Sequence, residues 1–472
     1  MQKNIPDPKR WAALALLCTA QFIVILDTSI IGVALPAMQA ELGFSASGLS
    51  WIFNAYVIAF GGLLLLGWLL GDLFGARRIF ASGFFILTAA SLVAGLAQSQ
   101  EMLLAGRALQ GVGASLIAPS ALMILMRLFG HNGAELGKAF GFWGAAAAAG
   151  GSAGVFLGGV ITEWLTWPWT FLINVPLGLL VLALIPAVLR KSPRNAGAVD
   201  WFGAISVTTA LVSLVFAIVT IETAGFYSPQ VLAMLGVSLV LFAVFLVAQF
   251  VRREPLLPMS IFKARNLAAG NLVMALLGAA WIPLWFFLNL YLQQILGLSA
   301  LASGLALLPM TGTIMIVMVG LSGRLIGRFG VKANLVIGLV LMGGALLMFA
   351  NLPPDGSFVT HVLPASLLAA FGMALAYIPT TMAGMAGAKP EETGLASGLI
   401  NTTYQIGSAI GLATMVALST WGSSSVAGQS AEGTLTGFQA AFLGAAIAAG
   451  LAALAAVVLV GSNGSKRDVP VG

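Results

Sequence analysis

The chain has 472 residues, of which 60% are hydrophobic and only 8% charged, with a formal net charge of +6 and a mean hydropathy of +1.02. No soluble globular class carries that balance, so the chain reads as an all-α polytopic membrane protein. Its basic residues are scattered through short polar segments, which argues against a nucleic-acid partner, and its single cysteine, Cys18, excludes a disulfide framework or a thiolate metal site.

In chain order, a polar lead carrying Lys3, Lys9 and Arg10 precedes an apolar run from Trp11 to Pro36, too long for the core of a signal peptide and read as a retained first helix. Apolar runs follow at 48–70, 79–98, 102–127, 139–161 and 169–189, which makes six. After the polar link at 190–195 come runs at 201–221 and 230–250, then an amphipathic connection from Arg252 to Arg265. Six more occupy 266–293, 302–322, 334–351, 362–385, 395–420 and 437–461. Most approach or exceed the roughly 20 residues that a bilayer core requires, so fourteen membrane helices are expected.

An even number of spans puts both termini on one side of the membrane. With the N-terminus in the cytoplasm, all lysines and arginines except Arg107 fall at cytoplasmic ends or loops, which is the bias that sets orientation. An internal repeat supports the division. The segment 71–77 (GDLFGAR) closes the second run and 326–332 (IGRFGVK) closes the tenth, 255 positions later, while Gly151-Ser152-Ala153 and Gly407-Ser408-Ala409 are 256 apart. Residues 1–190 and 266–472 are therefore expected to form two related six-helix bundles, with 191–265 inserted as two accessory helices and a cytoplasmic connection. Transporters built from repeats place their substrate site where the repeats meet.

Two charges lie inside predicted spans. Arg107, in the stretch 103–115 (LLAGRALQGVGAS), shares a helix face with Gln110, Gly111 and Ala114, and a cation at that depth must face protein or water and find a partner, unless it snorkels from a helix end. Asp27 is the acidic counterpart in the first run, at a depth similar to that of Arg107. For an organic ligand, Trp281, Trp285 and Asn289 recur at i, i+4 and i+8, and Asn401, Tyr404, Gln405 and Ser408 form a polar stripe, with Asn54 as a weaker addition. The tryptophans could instead pack against lipid or neighbouring helices, and the polar stripe could bond between helices.

These segments together resemble the major facilitator superfamily, specifically its fourteen-helix drug:proton antiporter branch of quaternary-ammonium and antibiotic exporters. The resemblance is carried by 26–36 (LDTSIIGVALP), by 70–78 (LGDLFGARR), by the helix-4 motif at Leu103, Arg107, Gln110, Gly111, Gly113 and Ala114, and by 167–178, 255–262 and 394–401. It departs from the branch at Ser29 and Gly32, where Thr and Asn are usual, at Leu73 and Ala76, where basic residues are usual, and in the fifth helix. There Gly150, Gly154, Gly158 and Gly159 keep the glycine frame of the antiporter motif, but Gly151 and Val155 stand at its proline positions.

The resemblance implies efflux of lipophilic drugs or antibiotics by alternating access, driven by the proton gradient with no cofactor and no metal, in a multi-pass protein of the cytoplasmic membrane that acts as a monomer. Its partners are protons, the lipid bilayer and a small amphipathic organic substrate. Asp27 and Arg107 are then the expected proton-coupling pair, with Asp27, Asn54, Gln110, Trp281, Trp285, Asn289, Asn401, Tyr404 and Gln405 at the substrate site. Asp72, Gly75, Arg77, Arg78 and Arg127 are the expected cytoplasmic gate, with Asp72 reaching Arg127 or the start of the thirteenth helix near Thr393. The missing prolines keep open a proton-independent facilitator or an importer of a specific metabolite. An ATP-driven pump is disfavoured, since no phosphate-binding Gly-x-x-x-x-Gly-Lys-Ser/Thr loop is present. An enzyme is disfavoured because the loops are short and no nucleophile or metal cluster stands out.

Overall fold

The structure is a computed structural model that describes residues 8–130, 133–191, 200–225, 227–252, 266–385, 393–424 and 431–461. Among these residues there is no strand, and the path is a succession of helices. The amino-terminal part comprises α1 (Arg10–Ser29), α2 (Ile31–Leu42), α3 (Ala46–Phe74), α4 (Ala76–Gly95), α5 (Gln100–Phe129), α6 (Gly133–Trp164), α7 (Trp169–Leu172) and α8 (Asn174–Val188). Next come α9 (Trp201–Ala224) and α10 (Pro229–Val251), and then α11 (Leu267–Leu290), α12 (Ala300–Ile316), α13 (Ser322–Phe349), α14 (Leu363–Met385), α15 (Thr393–Ser424) and α16 (Ala431–Leu459).

Among the described residues, eleven helical spans are long and apolar enough to cross a bilayer, or twelve when α3, bent by 50° near position 65, counts as one. The expectation of fourteen is therefore met only at this coarser level. Two local boundaries differ from the expectation. The first span does not end at Pro36 but runs on to Leu42: a one-residue turn at Ile30, itself in helical geometry, separates α1 from α2, and Pro36 stands inside α2. The polar segment expected between the runs at 302–322 and 334–351 is helical. A π-helical turn, Val317–Leu321, joins α12 to α13, and the backbone of α13 leaves helical geometry only at Gly330. The segment 255–262, His131, and the basic residues Lys3, Arg194, Arg253, Lys263, Arg265, Lys389, Lys466 and Arg467 lie outside the described residues.

Glycine explains the repeat in backbone terms. Gly75, at φ 92°, turns the chain from α3 into α4, and Gly330, 255 positions on, breaks α13 at φ 79°. Both angles are in the region that L side chains avoid. Next to these turns, Gly83 of α4 lies against Gly113 of α5, and Gly338 of α13 lies against Gly372 of α14. A Cβ on Gly83 or Gly338 would sit 2.7 Å from the partner's carbonyl oxygen. The same close helix crossing thus occurs in both parts, as small residues allow in lipid.

The two parts join at the end of the molecule away from the helix ends at Arg10 and Leu459. Gln293 donates to the Val33 carbonyl at 3.0 Å, and the Leu301 amide donates to Glu163 at 3.4 Å. Gly159 of α6 meets Ala300 and Leu301, and Phe53 of α3 meets the ring of Phe286 of α11 edge-on at 5.9 Å. Towards the other end, a Cβ on Gly141 or Gly144 of α6, or on Gly312 of α12, would touch nothing within 4 Å. On the opposite flank α9 fills the seam: Ala204, Val207 and Leu211 pack with Leu66 and Leu69 of α3 and Ala396 and Leu399 of α15.

Candidate functional site

α1 and α5 bring Asp27 and Arg107 together although 80 residues separate them. Arg107 Nη1 donates to Asp27 Oδ2 at 3.0 Å, and both side chains are fully buried. A buried ion pair loses most of its Coulombic gain to desolvation, so stability alone does not account for it. Its surroundings meet nearly every polar valence. Asp27 Oδ1 accepts from Gln110 Nε2 at 2.8 Å and from Asn174 Nδ2 at 2.6 Å. Arg107 Nη1 also donates to Gln110 Oε1 at 2.8 Å, Nε donates to the Ile52 carbonyl at 2.9 Å, and the guanidinium lies over the ring of Tyr56, 4.4 Å from its centre. Gln110 Nε2 further donates to Ser91 Oγ at 2.8 Å, which in turn donates to the Leu87 carbonyl.

Three polar atoms at this cluster have no partner: Arg107 Nη2, Asn174 Oδ1 and the Tyr56 hydroxyl. The cluster therefore holds a zero-sum charge pair and a small reserve of unused hydrogen-bonding capacity. Tyr56, Ser91 and Asn174 were not singled out from the sequence. Asn174 sits in the motif at 167–178, and its signal was an amide inside an apolar span; Ser91 and Tyr56 carried none, since one serine or tyrosine in a span is unexceptional.

The expected ligand residues divide between two places. Gln110 belongs to the ion-pair cluster. Asn54 and Asn289 lie where the two parts join: Asn54 is on the α3 face of Gly61, whose Cβ would lie 2.8 Å from Cβ of Gln405 on α15. Asn289 lies against Gly32 of α2, where a Cβ would be 3.0 Å from its amide nitrogen, so the missing side chain at Gly32 is what admits it. Trp281 and Trp285 meet edge-on at 6.1 Å; Trp281 is buried in the apolar core and Trp285 is half-buried beside it. Tyr404 meets Tyr377 edge-on at 5.7 Å, and Asn401, Tyr404 and Gln405 are all half-buried.

At the other end, Asp72 is half-buried in the last turn of α3 and Gly75 makes the turn that follows. Arg77 is half-buried, whereas Arg78 and Arg127 are exposed. Asp72 and Arg77 are each engaged by neighbours. The side chain of Thr393 lies outside the described residues.

The glycine frame of the fifth span is a packing device in this geometry. A Cβ on Gly150 would lie 2.5 Å from the Phe22 carbonyl oxygen, on Gly154 2.8 Å from Ser29 Cβ, and on Gly158 2.6 Å from the Ile30 carbonyl oxygen. These three seat α6 against α1 and the start of α2, while Gly159 faces α12. With Gly151 and Val155 in place of prolines, α6 runs without a break from Gly133 to Trp164.

Residues 17–412 match the family model described as Major Facilitator Superfamily. The chain is 37% identical over 417 residues to the Cephamycin export protein CmcT of Amycolatopsis lactamdurans, covering 87% of this chain and 85% of that one. It is 34% identical to the Puromycin resistance protein pur8 of Streptomyces alboniger over 98% of this chain and 94% of that one, and 32% identical to the Lincomycin resistance protein of Streptomyces lincolnensis over 87% and 84%. Among solved structures, the nucleoside transporter NupG shares the fold with a TM-score of 0.67 at 13% identity, covering 96% of this chain and all of that one. With a superfamily model spanning most of its length, relatives of this identity among antibiotic exporters and resistance proteins, and the same helical architecture, the chain belongs to the Major Facilitator Superfamily.

Proposed function

We propose that this protein exports small amphipathic antibiotics across the cytoplasmic membrane in exchange for protons, by alternating access between the bundles 1–190 and 266–472. In this reading the chain crosses the membrane fourteen times with both termini in the cytoplasm, and α9 and α10 are the inserted pair. The observation that carries it is the sealed Asp27–Arg107 pair at the centre of a chain whose relatives export or resist antibiotics.

The chemistry of exchange follows from the donors around Asp27. Arg107, Gln110 and Asn174 all donate to its carboxylate, an arrangement suited to the charged form. Proton uptake places a hydroxyl where only donors point, so it weakens the pair with Arg107 and favours a rearrangement of α1 against α5. Asn174 can answer by turning its amide, since its oxygen is buried and unused. The contacts that join the bundles at Val33, Glu163 and Phe53 are those that close one face, and the face that opens is the opposite one, towards the ends of α6 and α12 that carry Gly141, Gly144 and Gly312. With this topology the closed face is the outer one.

The test is substrate-induced proton flux in proteoliposomes under an imposed proton gradient, comparing wild type with Asp27→Asn. Flux that accompanies substrate movement and vanishes in the variant is expected; substrate movement with no proton flux in either form refutes exchange through Asp27. A facilitator is the second reading, and the specific observation favouring it is the unbroken α6, which lacks the prolines of the antiporter motif.

A further inference from the structure

We infer that the transported molecule is uncharged and hydrogen-bonding, and that a lipophilic cation is rejected. This rests on the export reading above and adds the charge of the substrate to it.

A cation leaving water for the interior of a membrane protein needs a carboxylate to replace its hydration, since an aromatic face alone offsets only a small part of the desolvation cost. Among the described residues the buried charged side chains are Asp27, Arg107 and Asp200. Asp200 caps α9 and is paired with Arg252 at 2.8 Å, at the base of the α9–α10 hairpin. Asp27 has both oxygens occupied by three donors, one of them a guanidinium, and none of its surface is accessible. An arriving cation therefore meets a neutral pair. To reach Asp27 it has to displace Arg107 and leave that charge buried without a counter-ion, the arrangement that low-dielectric interiors penalise most. The nearest aromatic face, that of Tyr56, is already covered by Arg107.

What the junction between the bundles does offer is neutral. Both the nitrogen and the oxygen of the Asn54 amide are buried without a partner, as is the Asn289 amide oxygen. Asn54 and Asn289 are at most 2% exposed, and they flank the Phe53–Phe286 contact that ties α3 to α11. Leaving buried donors and acceptors unpaired is costly, so these groups gain most from a molecule that brings hydroxyls and carbonyls to them when the junction opens. The aromatic surface beside them suits a flat apolar body. A donor and an acceptor next to aromatic rings, with no net charge, select a polyhydroxylated aromatic over an organic cation of the same size.

The experiment is equilibrium dialysis with the full-length purified protein in lipid nanodiscs, using 1,8-dihydroxyanthraquinone as the neutral probe and tetraphenylphosphonium as the cation. Binding of the neutral probe at least tenfold tighter is expected, with roughly tenfold weakening in Asn54→Leu and in Asn289→Leu. Asn289→Asp places a carboxylate at the junction and is expected to raise cation affinity, a gain that a misfolded variant cannot produce. Equal or tighter binding of tetraphenylphosphonium by wild type, lost in Asp27→Asn, overturns the inference, and so does binding of neither probe. Selective binding of the neutral probe without coupled proton flux in vesicles sinks proton exchange while leaving the substrate class intact.

Discussion

Arg107 uses three features that only a guanidinium combines: one nitrogen shared between Asp27 and Gln110, a second directed at the Ile52 carbonyl, and a flat cation over Tyr56. Lysine supplies a single point of charge and cannot meet these partners together. Arg107→Lys is therefore expected to keep the fold and to lose at least roughly tenfold in coupled export, equivalent to about 1.4 kcal/mol. Asn174→Ala removes one of the three bonds to Asp27, and hydrogen bonds to charged groups contribute about 1.5–3 kcal/mol. Its expected signature is fewer protons exchanged per substrate molecule, measured as the ratio of the two fluxes. A change in melting temperature with an unaltered ratio would assign Asn174 a structural role only.

At the scale of elements, glycines decide how closely helices approach. A side chain on Gly154 of α6 meets Ser29 Cβ at 2.8 Å and the Leu26 carbonyl oxygen at 3.0 Å, so Gly154→Val has to push α1 and α6 apart. Overpacking of this kind costs about 1–3 kcal/mol, read as a lower melting temperature in detergent. Gly151→Ala, with its nearest neighbours at 3.9 Å, is expected to melt within error of wild type. Melting of the two variants at the same temperature would contradict the packing role of the frame. The turns respond in parallel: Gly75→Ala and Gly330→Ala each force a Cβ into a positive-φ, extended-ψ conformation that is essentially confined to glycine, and are expected to lose about 1–3 kcal/mol.

For the whole molecule, the joined end is the feature to test. Gln293 Nε2, in the π turn that follows α11, lies 3.0 Å from the Val33 carbonyl of α2. Cysteines at Gln39 and Gln294, whose exposed side-chain amides face each other at 3.5 Å beside this contact, with the one native thiol Cys18 replaced by serine, are expected to be bridged by a short bifunctional maleimide, and the bridge to abolish transport by preventing that face from opening. Full transport in the bridged protein would show that this end does not separate during the cycle.

The sequence by itself determined the membrane class, the two buried charges, the repeat and the family, because each is written in local signals: hydropathy runs, a charge where hydrocarbon forbids one, and glycines at fixed offsets. Helix ends were less legible. Pro36 looked like a stop yet lies inside α2, and the tract from Ala300 to Phe349 turns at Gly330 rather than through a polar loop, since polar and basic residues such as Arg324 and Arg328 are compatible with an exposed helix and hydropathy does not register it. Only the tertiary structure decided the partners. Asp27 and Asn174 are 147 residues apart, and no periodicity within either helix encodes that their side chains meet. Nor could spacing reveal that Asp27 is saturated while Asn54 and Asn289 keep unused polar atoms. Which buried group remains available to a ligand depends on neighbours contributed by several helices, and that information exists only once those helices are packed.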